Sequence, residues 1–233
     1  MRRMELWHVP LAIGADRARQ AMQLLDEAEV ARARRFRRAV HAQAFIAAHS
    51  ALRGIIGRRL GLSPRALRFE TAAGGKPALA PRQGGGLEFN LSHSGACGVI
   101  ALAQGTPVGV DIETFEAAAA PLQDPDSLGA VLSPAELHAI DACPAAGRPL
   151  ARLRCWVRKE AVLKGAGCGL SDDVRKISVS IGPEARVIAS THPQVRMGEW
   201  SLSAFEQPGR WSGAVAMRGP LQPVAVHYWS WAA

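Results

Sequence analysis

Twice along this chain helical periodicity gives way to short apolar runs closed by turn residues, and that order restricts the fold more than any single motif. Residues 16–60 read as helical: Phe45, Ala48, Leu52, Ile55 and Ile56 recur at spacings of three and four and line one apolar face. Gly61 and Ser63-Pro64 end that pattern, because glycine closes a helix and proline cannot continue one. A strand over 4–11 comes before it. After the turn residues Gly74-Gly75, Pro77, Pro81 and Gly84-Gly85-Gly86, three β-like runs follow at 87–92, 97–103 and 108–113. The stretch 117–127 reads as a linker. Beyond it, Ser133-Pro134-Ala135-Glu136 starts a helix with proline at its first position. A second helix covers 150–164 and is stopped by Gly165, Gly167 and Gly169. Strand-like runs then come at 177–181, 200–205, 211–217 and 223–231. The same α-then-β order in two halves, 1–115 and 116–233, predicts an α+β fold of two similar subdomains packed side by side. No residue-level repeat accompanies it.

Composition narrows what such a fold can be for. The chain carries a formal charge of +8 with a pI near 10.2, so it should attract anionic partners: nucleic acid, an anionic membrane, polyphosphate or an acidic protein. Its basic residues are unevenly chosen, with 24 arginines against four lysines, Lys76, Lys159, Lys164 and Lys176. An ammonium and a guanidinium are not equivalent at a phosphate or proton-transfer site, which singles out each lysine. Five arginines (Arg32, Arg34, Arg35, Arg37, Arg38) crowd seven positions read as helical. They form a solvated face or a nucleic-acid patch, and one tyrosine and six phenylalanines in the whole chain offer no base-stacking platform. The expectation is no nucleic-acid partner. The four cysteines lack zinc-ligand spacing. The longest clean apolar run, 96–103, is strand-sized, and the first residues do not read as a signal peptide. A cytoplasmic protein without a membrane span is expected.

Four segments carry candidate chemistry. In Val108-Gly109-Val110-Asp111-Ile112-Glu113 the strand period of two puts Asp111 and Glu113 on one face, an arrangement suited to a hard cation such as Mg²⁺, or simply a solvated strand face. On the later helix Trp156, Glu160 and Lys164 fall at i, i+4 and i+8, so a Glu and a Lys share a face with an apolar wall and are poised to shift each other's pKa. Asn90-Leu91-Ser92-His93-Ser94-Gly95 reads as a strand end entering a phosphate-contacting turn; no G-x-S-x-G elbow supports a hydrolase. Gly74-Gly75-Lys76-Pro77 sets a lysine on a rigid turn too short for a P-loop.

In order, these pieces resemble the 4′-phosphopantetheinyl transferases, in particular the longer, monomeric, surfactin-synthetase-activating type. The matching segments are Arg34-Arg35-Phe36, Gly75-Lys76-Pro77, Phe89-Asn90-Leu91-Ser92-His93-Ser94, Val108-Gly109-Val110-Asp111-Ile112-Glu113, Leu132-Ser133-Pro134-Ala135-Glu136 and Trp156-x-x-Lys159-Glu160-Ala161-x-x-Lys164. The resemblance implies a pseudo-twofold pair of α+β halves with coenzyme A in the cleft between them. It implies transfer of the phosphopantetheine arm to a serine of an acyl or peptidyl carrier protein, with release of adenosine 3′,5′-bisphosphate. By position, Asp111, Glu113 and Glu160 match the Mg²⁺ carboxylates, Lys76, Ser92 and His93 the coenzyme A contacts, and Arg32 a basic position facing the adenosine phosphates. Lys164 matches the lysine one turn beyond the glutamate. Glu160 would serve as the base or orient a metal-bound water; Lys164 would protonate the leaving group or balance Glu160. A single chain holds both halves, so a monomer would suffice. The chain departs from the family at Val157, where Ser or Thr is usual, and at Glu29, Ala44 and Phe45, where phosphate-side contacts are expected. The reading of a different class is a basic, non-catalytic module that binds nucleic acid or a scaffold.

Overall fold

The computed structural model describes residues 4–118, 122, 124–169 and 174–231. The chain opens with β1 (Met4–Pro10), and the helical region then divides into α1 (Ala15–Ala21), α2 (Glu27–Arg34) and α3 (Ala39–Leu60). The region read as helical over 16–60 is broken for local reasons. The Asp26 carboxylate accepts from Glu29 N at 2.9 Å and Glu29 Oε2 accepts from Asp26 N at 3.2 Å, a reciprocal cap that starts a new helix. The arginine run spans the next break. Arg32 and Arg34 end α2, Arg35 is its C-cap and Arg38 the N-cap of α3, so the five do not share a helix. Arg34 and Arg38 would lie one turn apart, a like-charge spacing that works against continuity.

Next come β2 (Phe69–Thr71) and β3 (Pro77–Leu79), a ribbon that apolar alternation was too short to signal, and α4 (Pro81–Gly84). Three strands follow, β4 (Leu87–Ser94), β5 (Cys97–Gln104) and β6 (Val108–Thr114), and then α5 (Phe115–Ala118), α6 (Pro125–Val131), α7 (Pro134–Asp141) and α8 (Arg148–Ala166). Of the expected linker 117–127, residues 119–121 and 123 lie outside the described residues, and its end already belongs to α6. The chain closes with β7 (Ile177–Val179), β8 (Val187–Ser190), β9 (Trp200–Gln207), β10 (Trp211–Arg218) and β11 (Val224–Tyr228). No helix among the described residues is long and apolar enough to cross a membrane.

The α+β expectation holds, in four layers. One sheet has the order β11-β1-β5-β4 and the other β6-β10-β9. Strand alternation sorts their side chains. Ile100 and Leu102 of β5 share one core with Leu52 and Ile56 of α3, whereas Val99, Ala101 and Ala103 share another with Val110, Ile112 and Val215 of the second sheet. On the far side Ala214 and Ala216 of β10 pack on Leu153, Val157 and Ala161 from α8. Each half also lends a strand to the other's sheet. β6 pairs antiparallel with β10, Asp111 opposite Ala214, and β11 adds in parallel to β1, Met4 opposite Val224. The sheets thus do not divide where the α-then-β order does.

This arrangement positions the polar residues of β6. Val108, Val110 and Ile112 face the other sheet, so Gly109, Asp111 and Glu113 face α8. Contact there is backbone to backbone: a Cβ on Gly109 would lie 2.1 Å from Ala161 O and 2.2 Å from Gly165 N. Only glycine allows a helix and a strand to approach so closely.

Candidate active site

Along one side of the fold the edge of β4 runs beside β6, and side chains join the two strands where backbone bonds do not. Asn90 Oδ1 accepts from Val110 N at 2.9 Å, and Ser94 Oγ accepts from Thr114 N at 3.0 Å. Between them Ser92 Oγ donates to Asp111 Oδ1 at 2.7 Å. The residues expected in a phosphate-contacting turn are therefore mostly in a strand: β4 continues to Ser94, and Asn90, Ser92 and Ser94 point into the seam while His93 stays exposed. The alternation of these three polar residues was the signal in the sequence, and it marked a seam rather than a loop.

α8 crosses this seam. Lys164 Nζ donates to Asp111 Oδ1 at 2.6 Å and to Ser92 Oγ at 3.1 Å, so its partner is across on β6 and not Glu160 on its own helix. Ser94 Oγ donates to Glu113 Oε1. Asp111 and Glu160 are buried, each 4% exposed, and each has an oxygen without a partner, Asp111 Oδ2 and Glu160 Oε1. Burial and then the nearby charge of Asp111 push Glu160 up to about 7, with Glu113 adding to the effect and Lys164 opposing it. Burial also raises Asp111, although Lys164 and Ser92 pull it back, and burial raises Glu113 against its bond from Ser94. The charges of Asp111 and Glu113 thus both act on Glu160, and Lys164 is paired to Asp111. Among the described residues no group of three His, Cys, Asp or Glu side chains closes into a metal-holding set. Asp111 and Glu160 fit a cation in a narrower sense: each offers a buried, unpartnered oxygen to one.

The other expected residues are placed differently. Lys76 and Lys164 border one cavity of about 230 Å³ with Asn90, Leu91, Gly167 and Cys168. The Lys76 ammonium is turned inward, to Val108 O at 3.0 Å and to Gly165 O and Glu88 Oε2 at 3.4 Å each. Partial burial, and then the charges of His49 and Lys164, lower the pKa of His93, with Asp111 opposing them. Exposed Arg32 stands apart from the carboxylates, its guanidinium 5.0 Å from the centre of the Phe45 ring, and that ring stacks on His49 at 4.0 Å. Glu29, where a basic contact was expected, binds His49 Nδ1 at 3.0 Å and also pairs with fully buried Arg53. Nothing in the pattern of α3 foretold that arginine inside.

A further buried pair was hidden within the motifs. Glu136 Oε2 meets Lys159 Nζ at 2.6 Å and accepts from Ser133 N at 2.8 Å, while Glu136 Oε1 accepts from Val179 N at 2.7 Å. Ser133-x-x-Glu136 is a helix cap whose carboxylate also anchors α8.

The family model described as 4′-phosphopantetheinyl transferase superfamily matches residues 107–216, and the one described as 4′-phosphopantetheinyl transferase, N-terminal, matches 14–105. The chain is 31% identical to 4′-phosphopantetheinyl transferase HetI of Nostoc sp. over 228 residues, 97% of this chain and 92% of that protein. The chain belongs to the 4′-phosphopantetheinyl transferases. It is also 31% identical over 157 residues to the putative 4′-phosphopantetheinyl transferase slr0495 of Synechocystis sp., covering 66% of this chain and 61% of that one. A solved structure titled Chronobacterium ammoiniagenes apo-ACPS is similar over 49% of this chain and 98% of that chain, at 20% identity and a TM-score of 0.39, a likeness too slight to weigh. The transferase moves phosphopantetheine to carrier proteins, and the reading as a basic non-catalytic module finds no support. The boundary between the two family models falls between β5 and β6, where the chain leaves one sheet for the other.

Proposed function

We propose that this transferase carries the 4′-phosphopantetheine arm of coenzyme A to a serine of an acyl or peptidyl carrier protein in the cytoplasm, acting as a monomer. Its site is the seam between β6 and α8, with Asp111, Glu113 and Glu160 as the residues that would hold Mg²⁺. The observation that carries this reading is the pair of buried, unpartnered oxygens, Asp111 Oδ2 and Glu160 Oε1, beside the Lys164–Asp111 ion pair. When bound, the cation would offset the negative charge of these carboxylates and of a pyrophosphate together.

The protein's own groups do the rest. Glu160, raised to about 7, takes the proton of the carrier serine, directly or through a water it orients. The serine oxygen forms its bond to the β-phosphorus as the bond from that phosphorus to the bridging oxygen breaks, and the electron pair leaves with adenosine 3′,5′-bisphosphate. Lys164, anchored on Asp111, offsets charge gathering on the leaving phosphate. Ser92 and His93 contact the cofactor beside it, and Arg32, beyond Phe45 and His49, meets its adenosine phosphates. Incubation with coenzyme A, Mg²⁺ and an apo carrier should add the phosphopantetheine mass to the carrier, and a chelator should stop it. Labelling that continues undiminished in chelator would remove the metal from this account.

A further inference from the structure

The turn that carries Lys76 does more than border the cavity. It closes on itself, with Gly75 N donating to Ala72 O at 3.0 Å and Ala72 N to Lys76 O at 2.9 Å. Gly74, at φ 82°, lies flat against the end of α8, where a Cβ would stand 1.7 Å from Gly167 O. An L residue with a side chain rarely adopts that φ, and no side chain fits that space. From this fixed base the Lys76 side chain reaches into the seam and is 12% exposed.

An ammonium has three donors and no acceptor. Those of Lys76 find Val108 O, Gly165 O and the Glu88 carboxylate, so protein acceptors use all three. Two of these acceptors belong to the elements that carry the site. Val108 opens β6, three residues before Asp111, and Gly165 lies in the last turn of α8, next to Lys164. The carbonyls of a last helical turn lack intrahelical partners, and a cation there also meets the negative end of the helix dipole. β6 and α8 already touch at Gly109 and Gly165, and the Lys76 ammonium sits beside that contact, bonded to both elements.

We propose that Lys76 is a positioning residue for the transfer: it ties the start of β6 to the end of α8 and so sets how Asp111 and Glu113 face Glu160 and Lys164. This rests on the reading of the site given above, and it replaces the coenzyme A contact that the resemblance implied for this side chain. A phosphate ligand and a tie between two elements predict different kinetics. A ligand contributes to cofactor affinity, whereas a tie contributes to the rate once cofactor is bound.

Lys76→Met keeps the stem and removes the ammonium. The measurements are kcat and KM for carrier labelling, together with the Kd of coenzyme A and of its 3′-dephospho form by calorimetry. The expected result is a kcat lower by about ten- to a hundredfold, the scale of loss from a misplaced reacting group, with coenzyme A affinity changed by less than about threefold. Lys76→Arg keeps the positive charge but replaces the compact ammonium with a planar fork that cannot fit the same three acceptors. It should lose kcat too, and it carries the test if the Met variant does not fold. A tenfold or greater loss of coenzyme A affinity, spared for the dephospho form, with kcat unchanged, would overturn the proposal in favour of a phosphate ligand. Unchanged kcat and Kd would overturn it as well. A wild-type chain that labels no carrier is a distinct result, one that removes the site reading itself.

Discussion

Glu136 and Glu160 are two buried carboxylates beside α8, and the protein treats them in opposite ways. Both oxygens of Glu136 are spoken for, by Lys159, Ser133 N and Val179 N. Glu160, the residue after Lys159 on the same helix, has an oxygen with no partner and two other carboxylates close enough to raise it. The helix turns one residue toward a completed network and the next toward an incomplete one. A buried ion pair with every lone pair answered holds elements in place; a buried carboxylate left short of partners costs stability and waits for a cation or a proton. Structure and chemistry are thus separated by about 100° of helix rotation.

Exchanging the two glutamates for glutamine breaks this comparison most strongly. Glu160→Gln should reduce carrier labelling by about a hundredfold or more, the usual worth of a positioned base, and Asp111→Ala should do the same. Yet the Glu160 variant should melt no lower than wild type near pH 7. A carboxyl raised on folding favours the protonated state in the native protein, so its ionised form weakens the fold above the unfolded pKa, and neutral glutamine removes that cost. Glu136→Gln should do the reverse. It takes the carboxylate from buried Lys159, which keeps its bond to Val131 O, at a cost of about 3–5 kcal/mol in denaturant unfolding, and it harms activity only through lost folded protein. A Glu136 variant as stable as wild type would dissolve the distinction.

A third carboxylate sharpens the comparison on the acid side. Burial alone would raise Glu29, but its bond with His49 and the charge of Arg53 outweigh burial and hold it below its ordinary value. A lowered carboxyl stabilises above its unfolded pKa, about 4.3, and that stability is lost as pH falls through the lower folded value. The stability gap between wild type and Glu29→Gln, on the order of 1–3 kcal/mol, should therefore be full at pH 7 and shrink below about pH 4. A gap that does not change with pH would show that packing, not charge, is what Glu29 supplies.

How much of this could be read beforehand depends on how local each signal was. The strand period put Asp111 and Glu113 on one face and the helix period put Glu160 near Lys164, because both are properties of a few neighbouring residues. What those faces meet is not local. Lys164 chose Asp111, 53 residues away, over Glu160 one turn behind it. The seam formed by Asn90, Ser92 and Ser94 required β4 and β6 to lie edge to edge, and the exchange of β6 and β11 between sheets depends on how the halves pack. The burial of Arg53 and Lys159 was not legible, because the carboxylates that satisfy them lie elsewhere in the chain. The breaks in the first helical region were legible in principle: Asp26 and Glu29 stand at capping-box spacing.

The smallest predicted effect concerns the carrier. Phe36 and Val40 are exposed among the arginines that link α2 to α3, and a chain of charge +8 should draw an acidic carrier through such a surface. Raising salt from low to physiological should increase the carrier KM several-fold more than that of coenzyme A, an effect of screening over a wide face, and Arg37→Glu should mimic it. A carrier KM flat with salt would assign the arginines to the cofactor alone.

The central claim is that the incomplete network around Glu160 is a cation site. Thermal unfolding of wild type and Glu160→Gln, with Mg²⁺ and coenzyme A added separately and together, tests it directly. The account predicts that Mg²⁺ raises the wild-type Tm, most of all with coenzyme A present, and leaves the Glu160→Gln Tm nearly unmoved. An equal rise in both proteins would contradict it.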